Sequence, residues 1–230
     1  MVRLFAVKIP ETTGFSDLEK QLSVIRDFDY SALKSKYKNV AALQHHVFGN
    51  LLVKMQLRRM IFTDQQEVSI YYNEHAKPML SGQSNVHFNI SHSGRWVVAA
   101  FAEKPVGIDI ERVKTANMLV AHRFFSEEEI AFLTQKQMTE RDEWFFRFWT
   151  LKESYLKAIG TGLSKPLSSF VIKFEGEKIY LLDEGLPVQA NLLHLDFDGD
   201  YKISVCAFDE LIDRQPLIIE ADELIGFFNT

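Results

Sequence analysis

The sequence predicts a mixed α and β protein, on three observations. Residues 106–113, VGIDIERV, alternate apolar and polar side chains in the period of a strand. Residues 40–60 repeat apolar residues at helical spacing, with Val40, Leu43, Val47, Leu51 and Met55 on one face. Beyond Gly162 the chain returns to short strand-like runs. With 230 residues, 47% of them hydrophobic, the chain can bury a sizeable core as one large domain or two small ones.

Composition narrows the setting. One cysteine, Cys206, rules out an internal disulfide framework and fits a reducing cytoplasm. It lies in the strand-like run ISVCAF and reads as a small core residue. The N-terminal run MVRLFAVKIPE meets acidic residues at once and lacks a signal-peptide plan. No apolar run approaches the roughly 20 residues that span a bilayer, so no membrane role is expected. A net charge of −5 argues against general nucleic-acid binding, and an anionic ligand needs a local basic cluster.

In chain order, residues 2–9 form a first strand ended by Pro10. Ser16, with Glu19 three residues on, has the pattern of a capping box for a helix to about Phe28. Lys34, Lys36 and Lys38 make a basic segment, either solvated helix surface or a landing site for phosphate. In the helix over 40–60, His45 and His46 are adjacent, point about 100° apart and form no metal pair by themselves. Gly49 within that helix implies close packing or close ligand approach. Strands are expected over 67–72, 86–90 and 95–101, with Ser91-His92-Ser93-Gly94 as a tight connection. Lys77-Pro78 favours an extended or turn conformation.

Residues 116–125 read as a short helix, and Ser126 followed by three glutamates as the start of another, ending near Lys136. A longer helix runs from Thr139 to Ile159, before Gly160 and Gly162. Strands follow over 169–174, 178–182, 188–197 and 201–208. The apolar residues 216–228 are expected to pack on the sheet or on the partner half.

Three local features carry possible chemistry. Asp109 and Glu111 leave one strand face, opposite Ile108 and Ile110, roughly 6–7 Å apart. They are either a solvated acidic face or two hard oxygen ligands of the kind that suit Mg²⁺. His92, flanked by hydroxyls and glycine, is either turn decoration or an oxyanion binder. On the long helix Phe145, Phe148, Trp149, Leu156 and Ile159 form an apolar stripe that contains Lys152, with Glu153 on its shoulder and Lys157 one turn on. Glu153 and Lys157 can be a surface pair at i, i+4. Lys152 either snorkels or faces a cleft filled by an anion.

GIDIE at 107–111, followed by W-x-x-K-E-x-x-x-K through Trp149, Lys152, Glu153 and Lys157, resembles the signature of the surfactin-synthetase-activating (Sfp) type of phosphopantetheinyl transferases. FNISHSGRWV, RFFSEEE and TGLSKPL fit too, and the resemblance runs from about Lys36 to Phe208. It implies an α+β fold of two similar halves about a pseudo-twofold axis, each a small antiparallel sheet packed with helices. The halves are expected over 1–104 and 105–230, joined by Ala102–Pro105, with coenzyme A between them. RWVVAAF and YKISVCAF echo each other in agreement.

The implied reaction moves 4′-phosphopantetheine from coenzyme A to a serine of an acyl or peptidyl carrier protein and releases 3′,5′-ADP. The implied metal is Mg²⁺ on Asp109, Glu111 and Glu153. Glu153 also takes the serine proton, while Lys157 and Lys152 stabilise the pyrophosphate. Ser91 and His92 lie near the nucleotide phosphates, and Lys77-Pro78 on the adenine side. The family's usual arginine for the 3′-phosphate is replaced in Gln44-His45-His46, which leaves Lys34, Lys36, His45 and His46 as candidates. Arg112, Lys114, Arg123, Phe124 and Phe125 are a docking surface for the carrier, or the phenylalanines are core. A monomer is the expectation for a two-half chain. The alternatives are an Mg²⁺-dependent phosphoesterase or an inactive relative that binds coenzyme A or a carrier.

Overall fold

The computed structural model describes residues 1–12, 14–25, 30–61, 70–75, 77–81 and 85–229. The first half contains strand β1 (Arg3–Lys8), helices α1 (Phe15–Leu22), α2 (Tyr30–Lys34) and α3 (Val40–Ile61), then strands β2 (Ile70–Tyr72), β3 (Pro78–Leu80), β4 (His87–Ser93) and β5 (Trp96–Ala102). The second begins with β6 (Val106–Arg112), α4 (Met118–Phe124), α5 (Glu127–Thr134) and α6 (Met138–Ile159). Strands β7 (Phe170–Glu175), β8 (Lys178–Asp183), β9 (Leu186–Pro187), β10 (Asn191–Phe197) and β11 (Tyr201–Ala207) follow. Strand β12 (Leu217–Ile219) and helix α7 (Ala221–Gly226) end the chain.

The two halves repeat one plan. Each has a first strand, a helix of 22 residues, and an antiparallel hairpin that pairs back onto the first strand. The strand orders are β1-β5-β4 and β6-β11-β10. Alternate residues of β1, β5, β6 and β11 meet in a central core containing Leu4, Ala6, Val98, Ala100, Ile108, Ile110, Ile203 and Val205. The opposite face of the first sheet packs under α3 through Val7, Val97, Ala99 and Phe101. Helix α6 covers the second sheet with an aromatic core that includes Phe145, Phe148 and Tyr155. The layers therefore run helix, sheet, sheet, helix. Reciprocal contacts join the hairpin turns to the opposite half. The Trp96 indole donates to Asp198 at 2.8 Å, and the Arg95 backbone N–H donates to the Tyr201 hydroxyl at 3.3 Å.

Local sequence explains most boundaries. Ser126 and Glu129 complete the expected capping box of α5. Gly160 ends α6 in the left-handed conformation, φ 72°, and its N–H returns to the Leu156 carbonyl. Two expectations fail. Helix α1 starts at Phe15, with Gly14 as its N-cap and no side-chain cap, so Ser16 lies inside the helix. Ser91, His92 and Ser93 continue β4, because each pairs with β5 down to Ser93↔Trp96, and the turn falls on Gly94-Arg95. The terminal apolar residues pack on the partner half, one of the two outcomes expected for them: β12 pairs parallel with β1, and Ile219, Leu224 and Ile225 join the first half's core. They cover an edge of β1 that would otherwise stay open. The span 105–230 therefore ends in a segment that packs on the first half. No helix among the described residues is long and apolar enough to cross a membrane.

Candidate functional site

Strands β4 and β6 run alongside each other where the halves meet, and side chains of β4 bridge them. Asn89, Ser91 and Ser93 lie two apart and so share a face. Asn89 Oδ1 accepts the Ile108 N–H at 2.9 Å. Ser91 Oγ donates to Asp109 Oδ1 at 2.8 Å. Ser93 Oγ donates to Glu111 Oε2 at 2.9 Å and accepts the Arg112 N–H at 3.1 Å. The strand thus holds both acids by their carboxylates.

Helix α6 lies on the same face of β6. A Cβ built on Gly107 would stand 2.0 Å from the Ser154 carbonyl oxygen and 2.4 Å from the Ala158 nitrogen. Only glycine lets helix and strand backbones come this close. The approach brings Lys157 Nζ to 2.6 Å from Asp109 Oδ1, 2.9 Å from Ser91 Oγ and 3.2 Å from the Ile108 carbonyl. Lys77 reaches the end of the helix from the other half. Its ammonium donates to the carbonyls of Lys157 at 2.5 Å, Ala158 at 3.2 Å and Val106 at 3.3 Å. Burial there lowers its pKa to about 8.

The acids repel one another. Burial, then the charge of Asp109, raises the pKa of Glu111. Burial, then Asp109, raises Glu153 as well, while Lys157 opposes the shift. Asp109 is 5% exposed, and its Oδ2 is buried without a hydrogen-bond partner. Crowded carboxylates with one orphaned oxygen fit a hard divalent cation by donor type. Among the described residues no three His, Cys, Asp or Glu side chains form a ready metal cage.

Two cavities adjoin this cluster and share Pro78 and Ile90. One, about 260 Å³, is lined by Lys77, Asn89, Glu153, Lys157 and Gly160 among others. The other, about 560 Å³, is lined by Tyr37, Asn39, His45, His46, Asn50 and His92 among others. Gly49 lines it too, and a Cβ there would meet Ile90 at an ordinary 3.6 Å. The rings of His45 and His92 stack at 4.2 Å and 8°. Desolvation of its ring, then His45 and Lys157, lowers the pKa of His92. His46 sits beside Tyr37, its pKa lowered by burial and then by Lys36, which is exposed.

The structure thus gathers Lys77, Pro78, Ser91, His92, Asp109, Glu111, Glu153 and Lys157 around one cleft, with His46 at its far end, whereas Lys36 is exposed and lines neither cavity. Lys152 does not join them. It is 0% exposed, 2.9 Å from Glu129 Oε2, and donates to the carbonyls of Leu167 at 2.9 Å and Phe170 at 2.5 Å. Glu129 Oε1 also accepts the Ile172 N–H at 2.8 Å. The apolar stripe holds a lysine because a buried carboxylate and two carbonyls meet it there, not because an anion enters. Phe125 is core at 3% exposure, and Phe124 is half-buried against Trp149. A third cavity, about 370 Å³, opens beside Glu111, Lys114, Asn117, Phe145, Phe146 and Trp149.

Sequence reading missed Asn89, Ser93 and Gly107. The alternation of β4 gave the first two a common face, but nothing local showed that β6 lay opposite. For Gly107 the signal was a glycine inside an otherwise β-branched strand.

Comparison with known proteins places both halves of the chain in known families. A family described as 4′-phosphopantetheinyl transferase superfamily matches residues 105–206, and one described as 4′-phosphopantetheinyl transferase, N-terminal, matches 15–104. The 4′-phosphopantetheinyl transferase Sfp of Bacillus subtilis is 35% identical over 182 residues, 78% of this chain and 80% of that protein. The 4′-phosphopantetheinyl transferase gsp of Aneurinibacillus migulanus is 30% identical and covers 99% of this chain and 95% of its own. A holo-[acyl-carrier-protein] synthase structure from Thermotoga maritima aligns with 46% of this chain and 64% of that one, at 20% identity and a TM-score of 0.39. With relatives of this identity along most of its length and both halves matched, the chain belongs to the 4′-phosphopantetheinyl transferase superfamily, in its Sfp-type branch.

Proposed function

We propose that this protein transfers the 4′-phosphopantetheine arm of coenzyme A to a serine hydroxyl of an acyl or peptidyl carrier protein, with Mg²⁺, and releases 3′,5′-ADP. The observation that carries this reading is the meeting of Asp109, Ser91 and Lys157 at the seam between halves, in a cleft walled by Glu153. A diphosphate needs a fixed cation, which Lys157 supplies, and Ser91 holds it in place by accepting from Lys157 and donating to Asp109. Asp109, Glu111 and Glu153 would hold the metal, which would neutralise charge on the pyrophosphate.

The chain's own groups do the rest. Glu153, with its proton affinity raised by burial and by Asp109, accepts the serine proton, directly or through water. Lys157 lies within reach of the diphosphate and stabilises charge on the departing nucleotide. Lys77 fixes the C-terminal turn of α6 and so holds Lys157 in place. Lys77 and Pro78 flank the adenine side, and His92, His46 and Lys36 the ribose side. Lys114 lines the third cavity, and with exposed Arg112 and Arg123 and half-buried Phe124 it offers an acidic carrier a basic, partly apolar face. The protein works as a monomer in the cytoplasm, where the Cys206 thiol, buried and pushed up to about 12, stays inert.

The test mixes the protein with apo carrier, coenzyme A and Mg²⁺ and follows the intact mass of the carrier. The expected result is one phosphopantetheine per carrier. Carriers of fatty-acid, polyketide and peptide type that all stay unmodified would defeat the reading.

A further inference from the structure

The described lining of the larger cavity lacks the fixed cations that a phosphate-reading site needs. Among the described residues lining it there is no lysine and no arginine. Its polar groups are Tyr37, Asn39, His45, His46, Asn50 and His92. His45 already donates its Nε2–H to the Gly94 carbonyl at 2.8 Å, and its ring lies flat on that of His92. A charge on either ring would face the other at close range. Asn50 donates to the His46 backbone carbonyl at 2.9 Å. Lys36 is the fixed cation whose charge reaches His46, but it is exposed and solvent screens it. Among the described residues, the fixed cations that do meet the cleft, Lys157 and Lys77, stand at its other end, on Asp109 and on the carbonyls of α6.

This asymmetry rests on the proposed function: with the diphosphate at Lys157, the ribose and its 3′-phosphate extend past Pro78 and Ile90 into the larger cavity. The geometry points to an enzyme that holds the diphosphate firmly and reads the 3′-phosphate weakly. We infer that 3′-dephospho-coenzyme A is a second phosphopantetheine donor for this protein. The chemistry is unchanged. The serine oxygen bonds to the phosphorus that carries pantetheine, and the bond from that phosphorus to the bridging oxygen breaks. The electron pair stays with the nucleotide, which leaves as adenosine 5′-monophosphate, and the serine proton goes to Glu153 or water. Lowered pKa values at His46 and His92 agree, since each stays neutral at neutral pH.

The experiment compares kcat/KM for coenzyme A and for 3′-dephospho-coenzyme A with the same apo carrier, by carrier mass and nucleotide release. Neutral hydrogen bonds to the 3′-phosphate allow about tenfold preference for coenzyme A or less, whereas two or more charge-assisted contacts give roughly a hundredfold or more. A ratio of about tenfold or less supports the inference, and a larger ratio overturns it. No transfer from either donor would instead defeat the proposed function. His46→Lys places a permanent cation in the cavity and should raise the ratio by about tenfold, mainly through a lower KM for coenzyme A. An unchanged ratio in that variant would overturn the placing of the 3′-phosphate beside His46.

Discussion

Gly107 on β6 lies against Ser154 on α6 with no room for a side chain: a Cβ on the glycine would stand 2.0 Å from the serine carbonyl oxygen. The neighbouring atoms are backbone of a 22-residue helix, so they cannot swing aside as a side chain would. Gly107→Ala must push α6 off the strand. The expected cost is about 3 kcal/mol, the upper end for overpacking. The same shift moves Lys157 from Asp109, so transfer activity should fall further than the fraction unfolded accounts for. Thermal unfolding and carrier mass, measured on one sample, check both. An alanine variant with wild-type stability would show that helix and strand are not held this close.

Lys152 and Glu129 form a buried pair remote from the cleft. Removing one partner leaves a buried charge, so Lys152→Met should destabilise by about 3–5 kcal/mol. Lys152→Met with Glu129→Gln should recover much of that loss. In folded protein the KM for coenzyme A should not change. Urea unfolding and steady-state kinetics separate the two effects. A raised KM at full stability would return Lys152 to the pyrophosphate.

Ser93 holds Glu111 at 2.9 Å from the opposite half. It is a positioning residue for the proposed metal site. Outer-shell partners of this kind tune metal affinity by about 10–100-fold. Ser93→Ala should therefore raise the Mg²⁺ concentration needed for half-maximal rate by about tenfold while leaving the KM for coenzyme A at saturating Mg²⁺ unchanged. A metal titration of transfer rate reads this. An unchanged Mg²⁺ requirement would remove Glu111 from the ligand set.

His194 is a buried histidine on β10. Its Nδ1 lies 3.0 Å from Ser204 Oγ, which in turn lies 2.7 Å from Thr150 Oγ1 on α6. Burial, then Arg147, lowers its pKa to about 3. The unfolded chain takes up this proton near pH 6.5 and the folded chain does not. Stability from His194 is therefore full above about pH 6.5 and declines toward pH 3, by about 1.4 kcal/mol per pH unit at the steepest. His194→Gln should flatten the profile between those limits. An equal slope in both proteins would place the acid sensitivity elsewhere.

Much of this architecture is legible in the sequence where the signal is local. The alternation at 106–113 and the stripe at 145–159 locate β6 and α6 within a residue or two, and Ser126 with Glu129 marks the cap of α5. What stayed hidden depends on partners distant along the chain. Lys152 looks like a ligand for an anion until Glu129 and the Leu167 carbonyl are seen around it. SHSG reads as a turn because serine and glycine favour turns, yet the ladder with β5 runs through Ser93. The return of residues 217–219 to β1 has no local signature at all, since a parallel pairing across the whole chain leaves the strand's own pattern unchanged. The acids of GIDIE were visible, but the serines that orient them were not, because their role exists only where two halves meet.

The central claim is that Glu153 completes a transfer site at this seam. The most direct measurement follows the intact mass of one apo carrier, with coenzyme A and Mg²⁺, for the wild-type protein and for Glu153→Gln in parallel. The account predicts full conversion by the wild type. It predicts a rate at least about a hundredfold lower for the variant, at unchanged thermal stability. Equal turnover by the two proteins, or no conversion by the wild type, would contradict it.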